Sequence, residues 1–156
     1  MIKSFDHVTV VVRDVEAARH FFSLLGFEHE RTVVISGAVF ADYMGVPGLE
    51  AEHVTLALTA ANPRIEVQLL KYRSPEPTPD PTIGQLSTLG FNHVCFAVDD
   101  LDAEVARLVE AGIEARTKVL DFRDCKLVFL RGPEGITVEL AQHASPAGPP
   151  PVRSPN

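Results

Sequence analysis

The strongest constraint on this chain is that it reads twice. Residues Phe5-Asp6-His7-Val8-Thr9-Val10-Val11-Val12-Arg13-Asp14 lie over Phe91-Asn92-His93-Val94-Cys95-Phe96-Ala97-Val98-Asp99-Asp100 at a single offset of 86. Continued without a gap to Glu28 and Glu114, the two stretches share eight identities in 24 positions, both histidines among them. A further correspondence sets Ile65-Glu66-Val67-Gln68-Leu69 over Ile136-Thr137-Val138-Glu139-Leu140 and so matches Gln68 to Glu139. A repeat of this kind calls for one supersecondary unit built twice.

The pattern inside the unit names its elements. Residues 5–12 and 91–98 are rich in β-branched and aromatic types with a period of two, which predicts strands. His7, Thr9 and Val11 share one face, and Val8, Val10 and Val12 the other; His93, Cys95 and Ala97 against Val94, Phe96 and Val98 repeat the split. A helix follows each strand. Asp14 and Asp100 stand as N-caps with acids in the next turn, and Gly26 and Gly112 close the helices in the left-handed conformation. Val15, Ala18, Phe21, Phe22 and Leu25 form one apolar stripe, and Leu101, Val105, Leu108 and Val109 the other. Three more strands are expected after each helix, over 30–36, 52–60 and 64–72, then over 114–121, 125–131 and 135–142, with a turn at Pro133-Glu134-Gly135. The stretch 37–49 reads as irregular, a short helix or a flap. The fold class is α+β, two βαβββ modules.

Prolines mark the boundaries. Four lie in Pro75-Glu76-Pro77-Thr78-Pro79-Asp80-Pro81, and five more between Pro146 and Pro155. Proline donates to no ladder and breaks helices, so both stretches read as extended chain. The organisation is a first module over 2–73, a linker over 74–90, a second module over 91–143 and a flexible tail over 144–156.

Composition narrows the partners. The formal net charge of -7 repels phosphate backbones, so nucleic acid is not an expected partner. No apolar stretch approaches a membrane span, and the N-terminus lacks the basic-then-apolar pattern of a secretory signal. Two cysteines, Cys95 and Cys125, make no disulfide framework and point to a reduced, cytoplasmic setting.

The chemistry sits at the matched positions. A carboxylate in a strand as apolar as Ile136-Thr137-Val138-Glu139-Leu140-Ala141 is costly to bury unless it is paired or bound to a cation. Two imidazoles and a carboxylate converging in one cleft make a site for a divalent metal, with Gln68 adding a neutral oxygen. Such a set carries about -1 before the metal and about +1 after it, which attracts an oxyanion, and open coordination positions permit Lewis-acid catalysis. Taken singly, each of these residues has an ordinary structural explanation. The joint pattern at repeat-equivalent places is what favours the metal. Glu66 lies two residues before Gln68 on the same face and competes with it, as ligand, supporting group or acid/base. His53, read as beginning a strand, has a weak claim to the cleft. His20, His29 and His143 read as surface residues, and Cys95 as a small wall residue beside His93. Arg13, Arg123 and Lys126 are available to bind an anion, with nothing in the sequence to choose among them.

These residues together resemble the vicinal oxygen chelate superfamily, which includes glyoxalase I, methylmalonyl-CoA epimerase, extradiol dioxygenases, and fosfomycin and bleomycin resistance proteins. The resemblance spans 2–142 and rests on Phe5-Asp6-His7-Val8, on Gly90-Phe91-Asn92-His93-Val94, and on Phe129-Leu130-Arg131-Gly132-Pro133-Glu134-Gly135-Ile136-Thr137-Val138-Glu139-Leu140. It implies paired modules whose curved sheets cup a divalent metal (Ni, Co, Zn, Mn or Fe), in a protein that commonly forms a homodimer. It implies His7, Gln68, His93 and Glu139 as metal ligands, a set closest to the epimerase branch. The implied activity is that of a glyoxalase- or epimerase-type lyase or isomerase, working through an enolate on a small oxygen-chelating substrate. Glu139 or Glu66 would move the proton. Two rival readings stand beside it: an iron-dependent extradiol dioxygenase using only His7, His93 and Glu139, and a non-catalytic protein that sequesters an antibiotic.

Overall fold

Asp14 and Asp100 start their helices as the sequence requires. Each carboxylate accepts the backbone N–H three residues on, from Ala17 at 2.9 Å and Ala103 at 3.0 Å. A computed structural model describes residues 1–144, so all but the first residue of the expected Pro-rich tail lies outside the described residues.

The first module runs β1 (His7–Val11), α1 (Val15–Leu24), β2 (Glu28–Ser36), α2 (Ala38–Met44), β3 (Glu50–Leu58) and β4 (Ile65–Ser74). The second runs β5 (Val94–Ala97), α3 (Leu101–Glu110), β6 (Leu120–Phe122), β7 (Cys125–Arg131) and β8 (Thr137–His143). The sheets have the same topology, β1-β4-β3-β2 and β5-β8-β7-β6. In each, the last three strands form an antiparallel meander whose final strand returns parallel to the first. The duplicated βαβββ reading therefore holds. Cα packing divides the chain after Gly84, inside the Pro-rich stretch, and groups Gly132–Gly135 with the first unit.

In the first module one sheet face is the core. Val10, Val12, Val54, Leu56, Val67 and Leu69 are buried together with Val15, Ala18, Phe21 and Phe22 of α1. Phe22 meets Phe21 and Phe27 edge-on at 5.2 and 5.8 Å. Val128, Leu130, Val138 and Leu140 are buried with Leu101 and Leu108 of α3 in the second module. Val109 was expected in that stripe but is 51% exposed. It sits about 80° around the helix from Leu101, at the stripe's edge.

Other boundaries shift for local reasons. The stretch 37–49 contains the short helix α2, which closes at Gly45 with φ 66°. The strand expected over 114–121 shrinks to β6 plus an isolated bridge between Ala115 and Leu130. Arg123, at φ 58°, turns the chain between β6 and β7. The expected turn at Pro133–Gly135 is a single 3-10 turn with Glu134 at φ 53°. His53 does not begin its strand: β3 opens at Glu50, and Glu50 and Glu52 pair with Arg73 at 3.2 and 3.9 Å. Among the described residues no helix is long and apolar enough to cross a membrane.

Candidate functional site

Strand alternation leaves a polar face on each sheet, opposite the core. In the first module it is built in rows. His7 of β1 stands beside Glu66 of β4, and Thr9 beside Gln68. The Gln68 row continues to Thr55 of β3 and Arg31 of β2. In the second module Cys95 of β5 stands beside Glu139 of β8, whose other neighbour is Phe129 of β7. The two predicted residue types therefore occupy equivalent rows, brought together by the parallel first and last strands.

The second module joins its donors directly. His93 Nε2 lies 3.1 Å from Glu139 Oε2, and both side chains are largely buried, 31% and 14% exposed. The Asn92 amide nitrogen donates to the Leu86 carbonyl at 2.5 Å, which fixes Asn92 Oδ1 toward His93 Nδ1 at 2.8 Å. Nδ1 therefore carries the proton. Nε2 and a carboxylate oxygen then face each other at a distance that needs a positive centre, a proton or a cation. Two ligands about 2.1 Å from one cation and about 90–109° apart sit about 3.0–3.4 Å from each other, so the observed separation fits adjacent ligands of a metal. The Phe129 ring packs edge-on to the imidazole at 5.2 Å.

The first module prepares its histidine in the same way with a different partner. Asp6 Oδ2 accepts from His7 Nδ1 at 2.6 Å and leaves Nε2 as the available ligand atom, the usual support of a metal-binding imidazole. His7 is 39% exposed. Gln68 is held on both sides. His53 Nε2 donates to Gln68 Oε1 at 3.0 Å, and the Gln68 amide nitrogen donates to Glu66 Oε2 at 3.4 Å. Thr9 adds a long 3.5 Å contact to the same Oε1. Glu66 is in turn paired with Arg64 at 2.9 Å, and Arg64 with Glu30 at 2.5 Å. Thr55, fully buried beside Gln68, leaves its hydroxyl without a partner among the described residues, a cost only a bound group or water can relieve.

Cys95 has the environment of an inert thiol. Burial, and then its hydrogen bond and charge contact with Glu139, push it up to about 12 from an ordinary 9.0. It stays protonated near neutral pH and donates to the Glu139 carboxylate rather than acting as a nucleophile. Two of the candidate anion binders are already spent. Arg13 pairs with Glu134 at 3.0 Å and Lys126 with Asp102, while Arg123 stacks on Phe122 at 5.3 Å. His29 hydrogen-bonds Thr32 within β2, and His143 ends β8.

The structure thus brings His93 to Glu139, and Glu66 to Gln68. Within neither module do three His, Cys, Asp or Glu side chains gather into a metal-holding group, among the described residues. The sequence reading gave no role to Asp6 and Asn92. Their signal was present, since each immediately precedes a repeated histidine. It ranked His53 low because its strand was started two residues late, at 52 instead of Glu50.

Comparison with known proteins agrees with this architecture. Residues 6–129 match the family model described as the glyoxalase/bleomycin resistance protein/dioxygenase superfamily. An uncharacterized Escherichia coli protein, YaeR, is 23% identical over 141 residues, 89% of this chain and 95% of its own length. A crystal structure of a glyoxalase family protein from Bacillus cereus superposes with a TM-score of 0.83 at 25% identity, covering 93% of this chain and 97% of that one. An antibiotic-binding protein from a Streptomyces species, TnmS3, shares the fold with a TM-score of 0.58 at 22% identity, over 91% of this chain and 97% of its own.

Proposed function

The chain belongs to the glyoxalase/bleomycin resistance protein/dioxygenase superfamily, and from that premise we propose that it is a divalent-metal-dependent enzyme of the glyoxalase/epimerase type. Each module supplies two donors, His7 and Gln68 from the first, His93 and Glu139 from the second. The substrate is a small molecule with two adjacent oxygens. The observation that carries the reading is the His93–Glu139 pair, 3.1 Å apart, with the imidazole's tautomer set by Asn92. When bound, a divalent cation supplies Lewis-acid polarisation of the substrate oxygens. Asn92 and Asp6 hold the two imidazoles with Nε2 outward. Glu139 takes the proton from the carbon beside the polarised carbonyl and returns it. Glu66 is the less mobile carboxylate, because Arg64 and Gln68 both hold it, so its role is to orient the Gln68 amide.

The test combines binding and proton exchange. The chain is titrated calorimetrically with Ni, Co, Zn, Mn and Fe(II), and the loaded protein is incubated in D2O with small 2-oxo and 2-hydroxy acyl compounds. One metal per chain and deuterium appearing at the carbon beside the carbonyl are expected. Failure to retain any metal overturns the reading.

A second reading follows from Gln68. Its acceptor oxygen already takes the His53 N–H, which favours a three-donor set of His7, His93 and Glu139, the pattern of an iron-dependent extradiol dioxygenase. Gln68→Ala with unchanged metal affinity, and a yellow ring-opened product from catechols with the Fe(II) protein, would favour it. A metal-free chain that binds an antibiotic without turnover would instead place it with the sequestering proteins. The homodimer that the family resemblance implies belongs to the same proposal, and light scattering on the eluting protein checks it.

A further inference from the structure

On the polar face of the second module Arg116 is a cation that no acid answers among the described residues. Arg131 on β7, which shares that face with Phe129, is paired with Glu114 at 2.7 Å. Among the described residues no carboxylate pairs with Arg116. Its backbone is fixed: the Arg116 N–H donates to the Phe129 carbonyl at 2.7 Å, and the preceding residue, Ala115, bridges Leu130. Leu130 is in the core. Strand alternation then puts Arg116 on the opposite face, the face of Phe129 and Glu139. The guanidinium is fixed as well. Its Nη1 donates to the hydroxyl of Thr137, which is fully buried and lies two residues before Glu139 on β8.

Arg116 therefore occupies the row of Glu139, half-buried and pinned through one N–H. Removing a guanidinium from water without a counter-charge is unfavourable. The remaining donors of its planar fork match a carboxylate two-to-two. We propose that Arg116 is an anion anchor, binding a carboxylate of the ligand whose chelating oxygens address His93 and Glu139. The naming of chelating oxygens rests on the metal-dependent reading above; the anion site itself does not.

Two measurements keep the claims separate. In metal-free, full-length protein, the Arg116 Nε–H signal is identified in an NMR spectrum by its loss in Arg116→Lys, and succinate is titrated in. A saturable shift of that signal is expected. Its absence, or a stronger response to inorganic phosphate, overturns the carboxylate site. In Zn(II)-loaded protein, acetohydroxamate is compared with the hydroxamate of succinic acid that keeps one free carboxylate. The free carboxylate should improve affinity roughly tenfold. Arg116→Gln should erase that gain and leave acetohydroxamate binding unchanged. No gain in the parent protein, or a gain that survives the substitution, overturns the anchor. If acetohydroxamate fails to bind while the succinate shift persists, the metal reading fails and the anion site stands.

Discussion

In the first module a carboxylate, Asp6, backs the histidine, and the matching place on the last strand holds an amide, Gln68. In the second an amide, Asn92, backs the histidine and the last strand presents a carboxylate, Glu139. At these two matched places, behind the ring and on the last strand, the acid and the amide are thus exchanged between the halves. Placed behind the ring, the acid raises the ligand strength of Nε2. Placed in front, it can itself ligate and carry a proton. Duplication supplied two equal scaffolds, and on the proposed reading the exchange gives one half a supporting role and the other the reactive one.

That division is open to test by substitution. The largest effect is expected at Glu139: Glu139→Gln, which makes the second module resemble the first, should abolish turnover and weaken metal binding by about 100-fold in calorimetry. Full activity would mean that the halves do not divide the work in this way. Asp6→Asn, which removes the acid behind His7, should weaken metal binding by roughly tenfold, whereas Asn92→Asp should strengthen it. His53→Ala should loosen Gln68 and lower metal affinity by a smaller factor, roughly twofold to fivefold. His53→Gln keeps a donor and should recover most of it; in the metal-free protein the Gln68 side-chain amide resonances should move in the first variant and return in the second.

A further expected effect is kinetic and needs no metal. With Cys125 replaced by Ser, iodoacetamide should modify Cys95 at least about tenfold more slowly at pH 8 than it modifies free N-acetylcysteine, because the thiolate fraction is depressed. The thiol is raised in the folded state, so its contribution to stability is complete below about pH 9 and is lost as the pH climbs toward 12. Glu139→Gln removes the neighbouring charge and should speed the alkylation. An unchanged rate would mean that burial alone holds the thiol.

How far the sequence could be read depended on how local the physics was. The caps at Asp14 and Asp100 and the period-two faces depend on neighbours in sequence, and both were legible. So was the matched placement of Gln68 and Glu139, because they lie on the repeat's last strand. What escaped were the contacts made across strands. His53 reaches Gln68 diagonally from β3, and Arg116 reaches Thr137 past β7. Neither partner is predictable without the register. The strand expected over 114–121 is broken near its start: Ala115 makes a single bridge to Leu130, and ladder pairing resumes only at Leu120.

The parallel return of the final strand also sets when either half can work. His7 and Gln68 are 61 positions apart (68 − 7), and His93 and Glu139 are 46 apart (139 − 93), yet β1 lies against β4 and β5 against β8. During synthesis the helix and the meander hairpins can form from what has already emerged, but these pairings wait for the last strand of each module. A nascent second half arrested before Glu139 would display a bare imidazole with nothing opposite it, so the His93–Glu139 pair is withheld until that half is translated almost to completion.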